Sequence, residues 1–296
     1  MGSGAPGSAT DWRGKFAIPD DEYDAFLRLA HDHIFVRGKA CSLLEKHKAN
    51  GPILIYLDFR YPAGGPRHRR FTSEHVRNFV AAYADAIARF FEPPSAPLQF
   101  FVMVKPAPEA DVAHDQHKDG IHIVCPTLTL PPETQYAIRG YLLQTGAVDR
   151  AFGDTGNVQP PQECLDLSVI SRNNWFLYGA CKPDKAWYQV KHIYAASIPD
   201  ERDDPAGPWC TSDHLEEEAA DGISPLELVR LLSIRNGHDA PTHMTMRTAD
   251  PATEIEWLQL LQRWGKGSNW AKPKSPGIFG RAAPSAGDGL PPMQLG

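Results

Sequence analysis

ILIYLDFRY (53–61) is an apolar, β-prone run that breaks into charge at Asp58 and Arg60. Its branched and aromatic residues over 53–57 read as a buried central strand. A carboxylate at the end of such a strand sits where open α/β sheets place their sites. Asp58 equally suits a plain turn-capping role before Pro62 and Gly64-Gly65. Two further runs of the same kind, LQFFVMV (98–104) and IHIVC (121–125), supply partner strands. In the second, Ile121, Ile123 and Cys125 face one way, which puts His122 on the other face with Lys118 beside it at the strand entrance. Gly120 between them permits close approach, and a cation next to an imidazole suits a polyphosphate. A half-exposed polar strand face is the plain alternative.

Outward from these strands, helical spacing takes over. Asp20 followed by Tyr23, Phe26, Leu29 and Ala30 predicts an opening helix with an acidic first turn. A second starts at Thr72 or Ser73 and carries Val76, Phe79, Val80, Tyr83, Ile87 and Phe90 until Pro93-Pro94. A third follows Pro131-Pro132, then a strand or hairpin over 164–178 and the extended segment WYQVKHIYA (187–195). Ser224-Pro225-Leu226-Glu227 is a capping box opening LELVRLLSIR. Asp250-Pro251 opens a last helix with Ile255, Leu258, Leu261 and Trp264 as its apolar stripe. The fold class is therefore α+β. Residues 1–11 are a flexible leader, 12–200 the main domain, 201–264 a small helical subdomain, and 265–296 a basic Pro/Gly-rich tail or linker.

Composition narrows the function classes. With 296 residues, 42% apolar, the chain can bury a large core, which excludes wholesale disorder. Lys+Arg 30 against Asp+Glu 36 gives −6, so a nucleic-acid site must be a local basic patch. No run approaches the roughly 20 apolar residues of a membrane span, and no signal peptide opens the chain. Five scattered cysteines without a C-x-x-C pair fit reduced thiols. An intracellular, reducing location without a membrane partner is expected.

A third block, CLDLSVISRNNWFLYGACKPDK (164–185), places Asp166 in apparent strand alternation with Cys164 and Ser168. A carboxylate there needs a metal or a cation, and Arg172 and Lys182 offer an ordinary salt bridge. Arg67, His68, Arg69 and Arg70 form the densest basic cluster, suited to template phosphates or to a solvated loop. His114, Asp115 and His117, like Cys210 and His214, lack structural-zinc spacing. Trp175 and Tyr178 read as core rather than as base-stacking platforms.

Taken in order, LDFRY (57–61), VKPAP (104–108) leading into KDGIHIVCP (118–126), and DLSVISRNNWFLYGACKP (166–183), with LVRLLSIRN (228–236) downstream, resemble the primase domain of the helicase-primases of large nucleocytoplasmic DNA viruses. That domain belongs to the archaeo-eukaryotic primase superfamily. The resemblance spans roughly residues 20–240 and makes 12–200 the primase catalytic domain. It implies a mixed sheet with an RRM-like catalytic half and flanking helices. It also implies template-dependent synthesis from NTPs or dNTPs on single-stranded DNA, with pyrophosphate release and two Mg²⁺ or Mn²⁺ ions. Asp58 and Asp166 take the metal positions; His122 and Lys118 the triphosphate; Arg60, Arg172 and Lys182 the rest of the nucleotide pocket; Arg67, Arg69 and Arg70 the nucleic acid. A fused or associated helicase and viral DNA replication sites follow from the same likeness. Tyr56 stands where the family carries the first of two acids, and a phenol does not replace a carboxylate toward a hard cation at neutral pH. Asp115, Asp119 or Glu163 could complete the set; otherwise metal binding is weakened. Two rivals stay open: a catalytically weakened module that binds nucleic acid or a helicase, and a metal-dependent nuclease, which leaves the Lys118 and His122 wall unexplained.

Overall fold

The run around Asp58 forms a strand longer than its apolar core, because alternation continues through Arg60 and Tyr61. The computed structural model describes residues 14–64, 67–92, 94–202, 204, 206–247 and 251–267. The leader and nearly all of the basic tail lie outside the described residues. In chain order the elements are α1 (Tyr23–His31), β1 (Leu44–Glu45), β2 (Gly51–Pro62), α2 (Ser73–Phe90), β3 (Leu98–Val104), β4 (Glu109–Asp111), β5 (Gln116–Leu130), α3 (Pro132–Gln144), α4 (Ala147–Phe152), α5 (Pro161–Cys164), β6 (Trp175–Phe176), β7 (Gln189–Ala196), β8 (Leu215–Glu218), α6 (Pro225–Leu231) and α7 (Pro251–Trp264).

The main sheet runs β2-β5-β3-β7-β8, with β4 also on β5. The α+β class stands, and these pairings are antiparallel throughout. β2 and β3 both pair with β5, so they run parallel to each other as a split β-α-β unit with β5 inserted between them. β2 is thus an edge strand, not the central one that its apolar run suggests. Segment 157–166 covers that edge: Val158 N–H donates to the Arg60 carbonyl at 2.9 Å, Asp166 N–H to the Tyr56 carbonyl at 2.9 Å, and Leu57 bridges Leu165. A register shift at Pro52/Ile53 frees backbone groups, which buried Gln135 of α3 satisfies by accepting from Leu54 N–H and donating to the Pro52 and Leu130 carbonyls.

Strand alternation divides the core. Ile53, Ile55, Leu57, Phe59, Ile121, Ile123, Phe100 and Val102 turn to one face, where α2, α3, α4 and α7 pack. α2 follows expectation: Thr72 caps it by accepting from His75 N–H, and Val76, Phe79, Val80, Tyr83, Ile87 and Phe90 are buried. Leu54, Phe101, Met103, Val124 and Ile193 turn to the other face, closed by α1, α6 and residues 175–180. Trp175 and Tyr178 are buried there as core. Buried Glu45 joins these pieces, accepting from Tyr23 Oη at 2.6 Å and from Ile234 N–H at 3.1 Å, and burial pushes its carboxyl upward.

Several expectations are corrected. In α1 the buried stripe is Tyr23, Leu27 and Ala30, while Leu29 is 69% exposed. In α7 it is Trp257, Leu260 and Trp264, with Ile255 and Leu258 exposed, because the tryptophans seek the crowded α3 surface. The helices of 201–264 do not gather into a subdomain: α6, with its capping box as read, lies on α1, and α7 on α3 and α2. Residues 164–178 are no hairpin but α5, a tight turn at Leu167–Val169, and the two-residue β6. All five cysteines are free, and among the described residues no helix is long and apolar enough to cross a membrane.

Candidate functional site

On the face of β2 away from the large helices stand Tyr56, Asp58 and Arg60. Register sets His122, Gly120 and Lys118 of β5 opposite them, one to one. The alternation read in KDGIHIVC therefore holds, and a single patch collects the strand residues singled out in the first two blocks. Asp58 is mid-strand rather than terminal, and its side chain is 10% exposed. Both its oxygens are in ion pairs: Oδ1 with Arg60 at 2.5 Å and Oδ2 with Lys118 at 3.4 Å. Arg60 also approaches Asp111 at 3.9 Å. Burial pulls the Lys118 ammonium down, against the pull of Asp58 in the other direction.

Asp166 belongs to the covering segment, not to a strand. Its N–H on the Tyr56 carbonyl holds it beside β2. Its own carboxylate caps the following turn, accepting from Ser168 N–H and Ser168 Oγ at 2.9 Å each. Cys164 ends α5 and Asp166 caps the tight turn at Leu167–Val169, so strand alternation does not hold across this stretch. Buried Arg139 of α3 anchors the segment by donating to the Leu165 and Gln162 carbonyls at 2.8 and 2.7 Å. Burial lowers its guanidinium to about 10, with Asp166 the largest opposing charge.

His122 sits in an aromatic enclosure. Tyr188 stacks on it at 3.7 Å between ring centroids, Tyr56 meets it edge-on at 4.9 Å and Trp175 lies 4.5 Å away. Burial, with Lys105 and Lys118 adding, pushes the imidazole down to about 3, so it is neutral at pH 7 and able to donate or accept one hydrogen bond per nitrogen. Gly120 makes this closure possible: a Cβ there would lie 2.8 Å from the Tyr56 ring and 3.0 Å from Tyr188 Oη. The Tyr56 phenol is driven up by burial, then by Tyr188 and Asp58, so it stays protonated and cannot act as the missing carboxylate.

Further cations ring the patch. Lys105 lies 5.3 Å over the Tyr188 ring and pairs with Glu109 at 2.5 Å; Lys185 joins Glu109 at 3.1 Å. Exposed Lys182 is near enough to depress Lys118. Arg172 turns elsewhere, donating to the Gly267 carbonyl at 2.5 Å beyond α7. Arg69 is also committed: it grips buried Asp119 through two nitrogens at 2.9 and 3.1 Å and the Lys105 carbonyl at 2.7 Å, on the opposite side of β5. Asp119 is thereby spent and does not complete the carboxylate set; Asp115 sits in a left-handed turn and Glu163 in the first turn of α5. Arg67, exposed, donates to the Pro108 carbonyl through Nε, and Arg70 lies 4.8 Å over Tyr61. Among the described residues no three His, Cys, Asp or Glu gather as a metal cage, the His114 and His214 neighbourhoods included. Asp58 on the strand face and Asp166 on the covering segment each offer carboxylate oxygens of the kind a hard cation prefers.

Sequence reading missed Tyr188, Asp111 and Arg139. Tyr188 lay in a segment read only as extended, and Arg139 in a helix read only from its Pro131-Pro132 start. Lys105 was visible inside VKPAP without a role.

The geometry agrees with what comparison finds. Residues 8–194 match the family model described as the C962R protein N-terminal AEP domain, AEP being archaeo-eukaryotic primase. The chain is 30% identical over 182 residues to the "Putative helicase L207/L206" of Acanthamoeba polyphaga mimivirus, covering 61% of this chain and 18% of that protein. It therefore spans under a fifth of the relative's length. With the family model matching residues 8–194, more than half of its length, the chain belongs to the viral archaeo-eukaryotic primase domains of the C962R N-terminal family.

Proposed function

We propose that the chain is a template-dependent primase-polymerase that transfers nucleotidyl groups from NTPs or dNTPs on single-stranded DNA, in viral DNA replication and joined to or associated with a helicase. One observation carries the reading: β2 and β5 set Asp58, Arg60, Lys118 and neutral His122 on one sheet face, and the 157–166 segment holds the Asp166 backbone against the edge of β2. A nuclease has no use for that triphosphate wall. Asp58 and Asp166 would hold Mg²⁺ or Mn²⁺, which when bound activates the primer hydroxyl and stabilises the departing pyrophosphate. Lys118, Arg60 and Lys182 neutralise the triphosphate, and His122 donates one hydrogen bond to it from a ring that Tyr188 fixes in place. Arg67 and Arg70 guide template phosphates from the loop after β2; Arg69 serves the fold, and Arg172 is not placed in the pocket.

The test is incorporation of labelled ATP or dNTPs on single-stranded DNA with Mg²⁺ or Mn²⁺, comparing the wild-type chain with Asp58→Ala and Asp166→Ala. Product from wild type falling at least about 100-fold in both variants is expected. The protonated Tyr56 favours a second reading, a primase-fold module with weakened catalysis. Folded protein that binds DNA and triphosphate but yields no product with either metal would establish it.

A further inference from the structure

We infer that Arg60 and Lys118 are exchange partners that hold Asp58 closed to metal until a triphosphate draws them off. The inference rests on the nucleotide reading above and adds the coupling within that site. Asp58 offers two carboxylate oxygens, and each faces a cation on the same sheet face, Arg60 from two residues along β2 and Lys118 from β5. A metal ion approaching Asp58 must displace two positive charges from a side chain that is only 10% exposed, in a setting where water screens little. A triphosphate changes the balance, because its oxygens offer Arg60 and Lys118 better acceptors than one carboxylate shared between them. Asp111, 3.9 Å from Arg60 on its far side, gives the guanidinium a second place to rest as it swings. Among the described residues Asp166 makes no ion pair: its oxygens take hydrogen bonds from Ser168. The consequence is reciprocal. Emptying the cation side frees the metal ligand, and emptying the carboxylate side frees the phosphate ligands.

Binding measurements on the folded chain separate this from simple charge effects. Mn²⁺ affinity without nucleotide is read by calorimetry or by the electron-spin signal of free Mn²⁺, and inorganic triphosphate affinity is read in EDTA. Arg60→Met and Lys118→Met are each expected to tighten Mn²⁺ about tenfold, and adding Asp58→Asn to Arg60→Met should remove that gain. Asp58→Asn alone should tighten metal-free triphosphate by a similar factor. Lys185→Met removes a cation that pairs with Glu109 and not with Asp58, and should leave Mn²⁺ binding within about twofold. Equal tightening in Lys185→Met, or unchanged Mn²⁺ in both Arg60→Met and Lys118→Met, overturns the exchange while leaving a wild-type triphosphate site intact. If inorganic triphosphate binds neither wild type nor Asp58→Asn, the nucleotide reading itself fails, and the exchange with it.

Discussion

Arg69 illustrates how a residue of the right type can serve a different end. In sequence it is one of four basic residues in a loop, suited to phosphate; in the fold it is the counter-charge of Asp119, whose side chain is 1% exposed. Removing it strands a buried carboxylate, which costs about 3–5 kcal/mol. Arg69→Ala is therefore expected to lower the melting temperature by several degrees or prevent folding, whereas Arg67→Ala leaves stability within about 0.5 kcal/mol; thermal denaturation by circular dichroism reads both. His122 makes a second residue-scale claim. Its ordinary value of 6.5 falls to about 3 in the fold, so between these pH values the unfolded chain takes a proton that the native chain refuses. The stability His122 contributes is present above 6.5 and is lost as the pH falls through 6.5 toward 3. By pH 5 the loss is about 1–2 kcal/mol. His122→Gln should accordingly lose less stability than wild type between pH 7.5 and pH 5 in urea titrations, and an equal loss in both would refute the enclosure.

At the level of elements, close approach decides more than propensity. Gly140 lies mid-helix in α3, where glycine is a poor helix former, yet a Cβ there would meet the Trp264 ring at 2.3–2.7 Å. Gly140→Ala gains helix propensity and loses more by forcing α7 outward, a net cost of about 1–3 kcal/mol seen as a lower urea midpoint; a rise would show that the ring can shift freely. The same physics marks what was legible in the chain. Apolar runs rich in branched and aromatic residues gave β2, β3 and β5, and alternation in the last gave the shared face of Lys118 and His122, because strand geometry leaves a side chain only two directions; Asp58 joins them only through the β2–β5 register. Capping chemistry gave the starts of α2 and α6. The 157–166 segment was not legible, since its conformation answers to the bare edge of β2 and to Arg139, neither of which is local in sequence. The apolar stripes of α1 and α7 were misread for a related reason: Leu29, Ile255 and Leu258 have helical spacing, but the larger tryptophans and the neighbour each helix meets choose the buried side. Tyr188 closed on His122 only once β7 lay beside β3, a long-range pairing that no window of sequence contains.

For the whole molecule, the formal charge of −6 sets the terms on which a polyanion can bind. General attraction is absent, so affinity for single-stranded DNA must come from local contacts whose counterions are released on binding. Arg67 and Arg70 follow the carboxylate strand in the chain and flank Arg69, which the fold has already used. Each phosphate contact on a single strand contributes roughly 0.7 to the slope of log affinity against log salt. The Arg67→Gln/Arg70→Gln double variant should therefore flatten that slope by about 1.4 and weaken binding alike across template sequences, since phosphate contacts carry no base information. Fluorescence anisotropy with two unrelated oligonucleotides over a salt series measures both quantities. A slope unchanged from wild type would move the template away from this loop and toward another basic face, while a loss confined to one sequence would mean that these arginines read bases and do not merely hold the strand.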